Sequence, residues 1–104
     1  LLGDGVGLAV IGADGTLTEW NAGARRLLGH TAADIVGRAA RLLAGDGVPA
    51  APAGTRWHGT VDLRHRDGRT VSVWLLTHHR PPRGGRPGEW LVVTSLAGAA
   101  DAAR

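Results

Sequence analysis

The side chains able to do chemistry in this 104-residue chain are five histidines, nine carboxylates and a set of arginines and hydroxyls, because cysteine and methionine are both absent. Without cysteine there is no disulfide, no thiol nucleophile and no cysteine-ligated zinc or iron–sulfur site. His78 and His79 are neighbours in a strand-like run, where successive side chains point to opposite faces, so the pair cannot grip one metal from one side. His30, His58 and His65 stand apart in the sequence, and no nucleophile with its base, carboxylate pair or metal-ligand spacing accompanies them. Gly3, Gly5 and Gly7 precede a strand instead of following one, which denies them the context of a dinucleotide loop. Arg80, Arg83 and Arg86 share a Pro/Gly loop and read as solvated charges, not as a phosphate cradle. The expectation is a chain with no catalytic residue, no metal site and no cofactor.

Those residues must be positioned by a single small domain, since a chain of this length buries roughly two-thirds of its unfolded surface around one core. The content of 43% hydrophobic and 20% charged residues is that of an ordinary globular protein, and seventeen glycines favour strands joined by short turns over a helical bundle. The net charge is only +3; the high isoelectric point follows from every basic residue being arginine, with no lysine, tyrosine or cysteine to titrate lower. It is therefore no signal for nucleic acid. No stretch is long and apolar enough to cross a membrane, and no signal peptide opens the chain, so the expected location is the cytoplasm. Heavy use of Ala, Arg and Gly points to a bacterial genome.

Local pattern then gives the elements. Val6 to Gly12 is an apolar run of strand length whose inward parity stays open, because both of its faces are apolar. Asp14-Gly15 has the chemistry of a two-residue hairpin turn, and Thr16 to Trp20 leaves it as the partner strand. Asn21 is a strong N-cap, behind which Ala24, Leu27 and Leu28 repeat on one helical face until Gly29. Thr31 and Asp34 resemble a capping box for a second short helix, with Ile35 and Val36 as its apolar face and Gly37 as its stop. Arg38 to Ala44 has room for another helical turn, and Gly45 to Arg56, with two prolines and three glycines, reads as a loop. Trp57 to His65 and Arg69 to His79 form a hairpin around Arg66-Asp67-Gly68, and Glu89 to Leu96 is the last strand. The expected fold class is α+β: a five-stranded antiparallel sheet with short helices on one face. Residues 1–96 are expected to form the domain and 97–104 the start of a C-terminal linker helix.

In order and spacing these features resemble a PAS domain: strand, Asp-Gly turn, strand ending in Trp20-Asn21, Leu28-Gly29, the Thr31-x-x-Asp34 cap, Gly37-Arg38 and the later Asp67-Gly68 turn. The resemblance implies a sensory or regulatory module of a larger signalling protein, working through an effector domain of the same polypeptide. Within that family, Gly37 to Leu43 is similar to the Gly-Arg-Asn-Cys-Arg-Phe-Leu motif of the flavin-binding LOV photoreceptors, with Ala39 and Ala40 matching the Asn and Cys. No flavin–cysteine adduct can form without the sulfur, and the strand positions that hold flavin in that branch are matched by Leu63, Val73 and Val93. The resemblance therefore argues against flavin here, and Arg38 to Ala44 lacks the axial histidine of the haem-binding members.

Strand alternation assigns the faces. Trp57, Val61, Leu63, Val71, Val73, Leu75, Leu91 and Val93, with Ala40, are expected to line the inner face, either as a pocket for a small apolar ligand or as a core packed shut. Trp74, Leu76, Trp90 and Val92 are expected on the outer face, where a homodimer partner or a flanking helix would cover them, since two exposed tryptophans exceed what a monomer commonly shows. A bulge would turn Trp74 and Trp90 inward instead.

Overall fold

The structure is a computed structural model, and residues 6–44 and 56–96 of it are described here. Five strands, β1 (Gly7–Gly12), β2 (Leu17–Trp20), β3 (Arg56–Arg64), β4 (Thr70–Arg80) and β5 (Glu89–Leu96), form one sheet in the order β2-β1-β5-β4-β3. All four pairings are antiparallel. The helices α1 (Ala22–Leu28) and α2 (Ala32–Ile35) and a 3₁₀ turn (Ala40–Leu43) lie between β2 and β3 and pack on one side of the sheet. The α+β class and the five strands agree with the sequence reading. The expected linker over 97–104 and most of the loop after Ala44 fall outside the described residues.

The turn between β1 and β2 is wider than a two-residue hairpin. Gly12 N–H donates to the Thr16 carbonyl at 2.8 Å, and Asp14 Oδ1 accepts from both the amide (3.0 Å) and the hydroxyl (2.7 Å) of Thr16. The Thr16 hydroxyl, then its amide, hold the Asp14 carboxyl below the usual aspartate range. The pairing shifts register between Val10 and Ile11, a bulge that brings Leu17 opposite Ile11 and turns it into the core.

Asn21 caps α1 and also ties it to the sheet. Its Oδ1 accepts from Ala24 N–H (2.8 Å) and from Leu8 N–H (2.9 Å), while its Nδ2 donates to the Val6 carbonyl (3.4 Å). Gly7, on the facing strand, has Thr94 Cγ2 and the Ala24 backbone about where a Cβ would sit (2.9 and 3.0 Å), so the helix lies against bare backbone. The helix ends at Gly29, whose φ of 82° is left-handed and whose N–H donates back to the Arg25 carbonyl. Thr31 caps α2 as expected, its hydroxyl accepting from Asp34 N–H at 3.2 Å. That helix presents only Ile35 to the core; Val36, expected beside it, is exposed because four residues complete a single turn and the chain leaves in extended conformation.

The core is one cluster that includes Ala9, Leu17, Leu28, Ile35, Leu43, Val61, Leu63, Val73, Leu75 and Val92. Val73, central in β4, is 0% exposed. Ala9 answers the open question of β1: it and Ile11 pair with inward residues of β5, and Leu8 and Val10 take the outer side.

Candidate functional site

Register decides which side chains share a face, because directly paired residues in an antiparallel ladder point the same way. In β3 and β4 the expected parity holds. Trp57, Val61, Leu63, Val71, Val73 and Leu75 all reach the inner side, where Ala40 from the 3₁₀ turn packs against them. Trp74 and Leu76 face outward. In β5 the expectation is reversed. Val92 pairs with Thr77, Thr94 with Leu75 and Trp90 with His79, so Trp90 and Val92 belong to the inner face. Leu91 pairs with His78 and Val93 with Leu76, which puts both on the outer face. No bulge is involved; the β4–β5 ladder runs unbroken from Val73↔Leu96 to Arg80↔Glu89. The last strand is apolar at both parities, so only its pairing to β4 could choose between them.

This places three of the four tryptophans inside: Trp20, Trp57 and Trp90. Trp20 is anchored, its Nε1 donating to the His30 carbonyl at 2.8 Å. Trp90 stacks obliquely on His79, ring centres 4.5 Å apart, and its Nε1 has no partner among the described residues. The hydroxyls of Thr77 and Thr94, residues 5% and 6% exposed, are equally without one. Three buried polar groups in search of a bond thus occupy the inner side of β4 and β5. Sequence reasoning passed over them. Thr77 was readable, being the next inward position after Leu75, whereas Thr94 and Trp90 required the register of β5.

The outer side of the same strands carries Trp74, Leu76, Leu91 and Val93, continued by Leu8 and Val10 of β1. His58 lies against Trp74, ring centres 5.2 Å apart. Asp62 accepts from the Ser72 hydroxyl at 2.7 Å, a pairing that leaves it remote in role from any histidine. Among the described residues no three His, Asp or Glu side chains gather as a metal site, and no helix is long and apolar enough to cross a membrane.

A mixed inner face of aliphatic and aromatic residues with a few polar groups, beneath short helices inserted after the second of five antiparallel strands, is the arrangement to compare with known proteins. A family profile described as the PAS fold matches residues 3–102. The chain belongs to the PAS family. No curated protein sequence matches it. Among solved structures it is similar to the PAS domain of a protein from Colwellia psychrerythraea, at 17% identity and a TM-score of 0.73, over 86% of this chain and 83% of that one. The PAS domain of an HTR-like protein from Haloarcula marismortui gives 20% identity and a TM-score of 0.69 over 86% and 78% of the two chains. A blue-light activated histidine kinase from Erythrobacter litoralis gives 16% and 0.72; this PAS domain covers 90% of itself but only 34% of that chain.

Light-sensing LOV proteins also appear among the similar folds, which raises the question of flavin. The described inner face does not fit it. Ala40 stands where the LOV motif has its cysteine, Leu63 and Val73 are buried and apolar, and the single asparagine of the chain is committed to capping α1, with no glutamine to replace it. Val93 faces outward and takes no part in the inner face.

Proposed function

We propose that this PAS domain is a regulatory module without catalysis of its own, passing a binding or dimerisation state to an effector domain of the same polypeptide. The observation that carries this reading is the two-sidedness of β4 and β5. Their inner side holds the unpaired Thr77, Thr94 and Trp90 groups, and their outer side holds Trp74, Leu76, Leu91 and Val93. Leaving a buried donor or acceptor without a bond costs about 1–3 kcal/mol, so a small, mainly apolar ligand offering a hydrogen-bonding group would be drawn to that spot. The outer band suits a second copy of the domain. A ligand that binds one packing of the sheet better than another shifts the population between them, and nothing more is needed for a relay.

Native mass spectrometry of the chain purified from cells tests the reading: a dimer with added small-molecule mass is expected, and a bare monomer overturns it. A second reading, a dimerisation scaffold with no ligand, draws on how completely Leu17, Leu28, Ile35 and Val73 fill the space under the helices; a dimer without added mass would select it.

Three substitutions sharpen this. Thr94→Val exchanges an unpaired hydroxyl for a methyl group and is expected to stabilise the ligand-free domain by about 1 kcal/mol in urea titration, while reducing the retained ligand. Thr77→Val is expected to do the same. A loss of stability would mean that the hydroxyls have partners in solution. On the outer side, Leu8 is 43% exposed and paired with Val93. Leu8→Glu is expected to change the stability of the monomer by no more than about 0.5 kcal/mol and to weaken the dimer by on the order of tenfold or more, since a carboxylate would be buried in an apolar contact. Sedimentation equilibrium reads the difference, and an unchanged dimer constant would exclude this face.

A further inference from the structure

Away from both sheet faces, a cleft of about 410 Å³ opens between α2 and the β3–β4 turn, lined by His30, Asp34, Arg38, Arg64, His65 and Arg66 around Ile35 and Leu42. Three arginines and a single aspartate are among the residues that line it. None of Arg38, Arg64 and Arg66 has an ion pair or side-chain hydrogen bond among the described residues, whereas Arg69 and Arg80 have theirs with Asp67 and Glu89. The walls are held by backbone and ring contacts that owe nothing to the charges. Arg66 N–H donates to the Leu28 carbonyl (2.8 Å), Arg38 N–H to the Ile35 carbonyl (3.0 Å) and Trp20 Nε1 to the His30 carbonyl (2.8 Å). His65 Nδ1 accepts from Asp67 N–H at 3.1 Å, which fixes the ring on the turn.

Like charges held around one opening repel each other, and a concave site focuses their field, so the fold keeps here a positive potential that, among the described lining residues, Asp34 alone opposes. Guanidinium forks match the oxygens of a carboxylate or phosphate in pairs. Leu42, half exposed at 50%, and the buried Ile35 give the opening an apolar side. We propose that this cleft binds a small doubly charged oxyanion carried on a short apolar body, a phosphate monoester being the simplest such class. Two charges on the ligand match the excess of arginine over aspartate, and the apolar body covers Leu42. The site is independent of the inner-face pocket and of the outer-face contact.

The groups facing His30 give the binding a pH signature. Partial burial first, then Arg66 and His65 on the turn and Arg38 after α2, press its imidazole toward the neutral form, with only Asp34 opposing them. A bound dianion reverses that balance, so His30 takes up a proton on binding and titrates at a higher pH in the complex. Affinity should therefore rise as the pH falls toward the range in which His30 takes up its proton, until the phosphate monoester loses its second charge at about pH 6.

The experiment is an NMR titration of the 104-residue chain with phenyl phosphate, inorganic phosphate and benzoate. Expected are saturable shifts of the His30, His65, Arg38 and Arg66 side chains with phenyl phosphate, at least tenfold weaker binding of the other two probes, and an upward move of the His30 titration. The double variant R38Q/R66Q, whose lost side chains bond to nothing among the described residues, is expected to keep its melting curve and lose at least tenfold in affinity. Absence of saturable shifts, equal shifts at Arg80, Arg83 and Arg86, or an undiminished affinity in the double variant would overturn the proposal.

Discussion

Gly29→Ala is expected to destabilise the domain by about 2–4 kcal/mol, in two separable parts. The first is conformational: at a φ of 82° an L-residue places its Cβ too near the following carbonyl, at a cost of about 1–2 kcal/mol. The second is steric. A Cβ on Gly29 would meet His65 Cε1 at 2.6 Å, His65 Nε2 at 2.9 Å and Arg66 Cβ at 3.2 Å, so the imidazole of the β3–β4 turn would have to leave its seat on the end of α1. Gly37 separates the two. Its φ is 94° and nothing lies within 4 Å of a Cβ there, so Gly37→Ala should show the conformational part alone. Urea unfolding of the two variants side by side measures the difference. If they lose the same amount, the docking of His65 on α1 contributes nothing to stability, and the cleft wall that it forms is not fixed.

Asn21→Ala is expected to cost about 1.5–2.5 kcal/mol, more than the loss of an ordinary helix cap at about 1 kcal/mol. The ordinary part is the bond from Ala24 N–H. The additional part is Leu8 N–H, on the first strand, whose exposed bond to the same Oδ1 would be exchanged for one to water at a net cost of about 0.5–1.5 kcal/mol. Asn21→Asp keeps that oxygen and should recover most of the loss, forfeiting only the long Nδ2 bond to the Val6 carbonyl. Thr31→Ala supplies the comparison, since Thr31 caps a helix of four residues through one bond and ties it to no strand; its loss should stay near that of a simple cap. An Asn21→Ala effect no larger than that of Thr31→Ala would mean that the cap and the strand are not joined in solution.

Much of the fold was legible because its signals are local. The caps at Asn21 and Thr31, the glycine stop at Gly29 and the alternation in β3 each depend on residues within a few positions of one another, and each appears where the spacing puts it. What failed was non-local. Glu89 to Leu96 is apolar on both sides, and its inward set is chosen by how an eight-residue connection, 81–88, sets Trp90 opposite His79. The same indifference left β1 undecided until Ala9 was seen opposite Val92. Of the candidate pocket, the half built from β3 and β4 was therefore readable and the half built from β5 was inverted. The positive cleft was out of reach for a similar reason: Arg38 and Arg66 are far apart in sequence, and only the docking of the turn on α1 makes them neighbours.

The strand order has a mechanical corollary. β5 is the last of the described strands yet stands in the middle, the one rail to which the β2-β1 and β4-β3 ribbons are both fastened. Any tension or torque applied at Leu96 would thus act on the keel of the sheet instead of its rim, and tugging that keel would strain both ribbons at once.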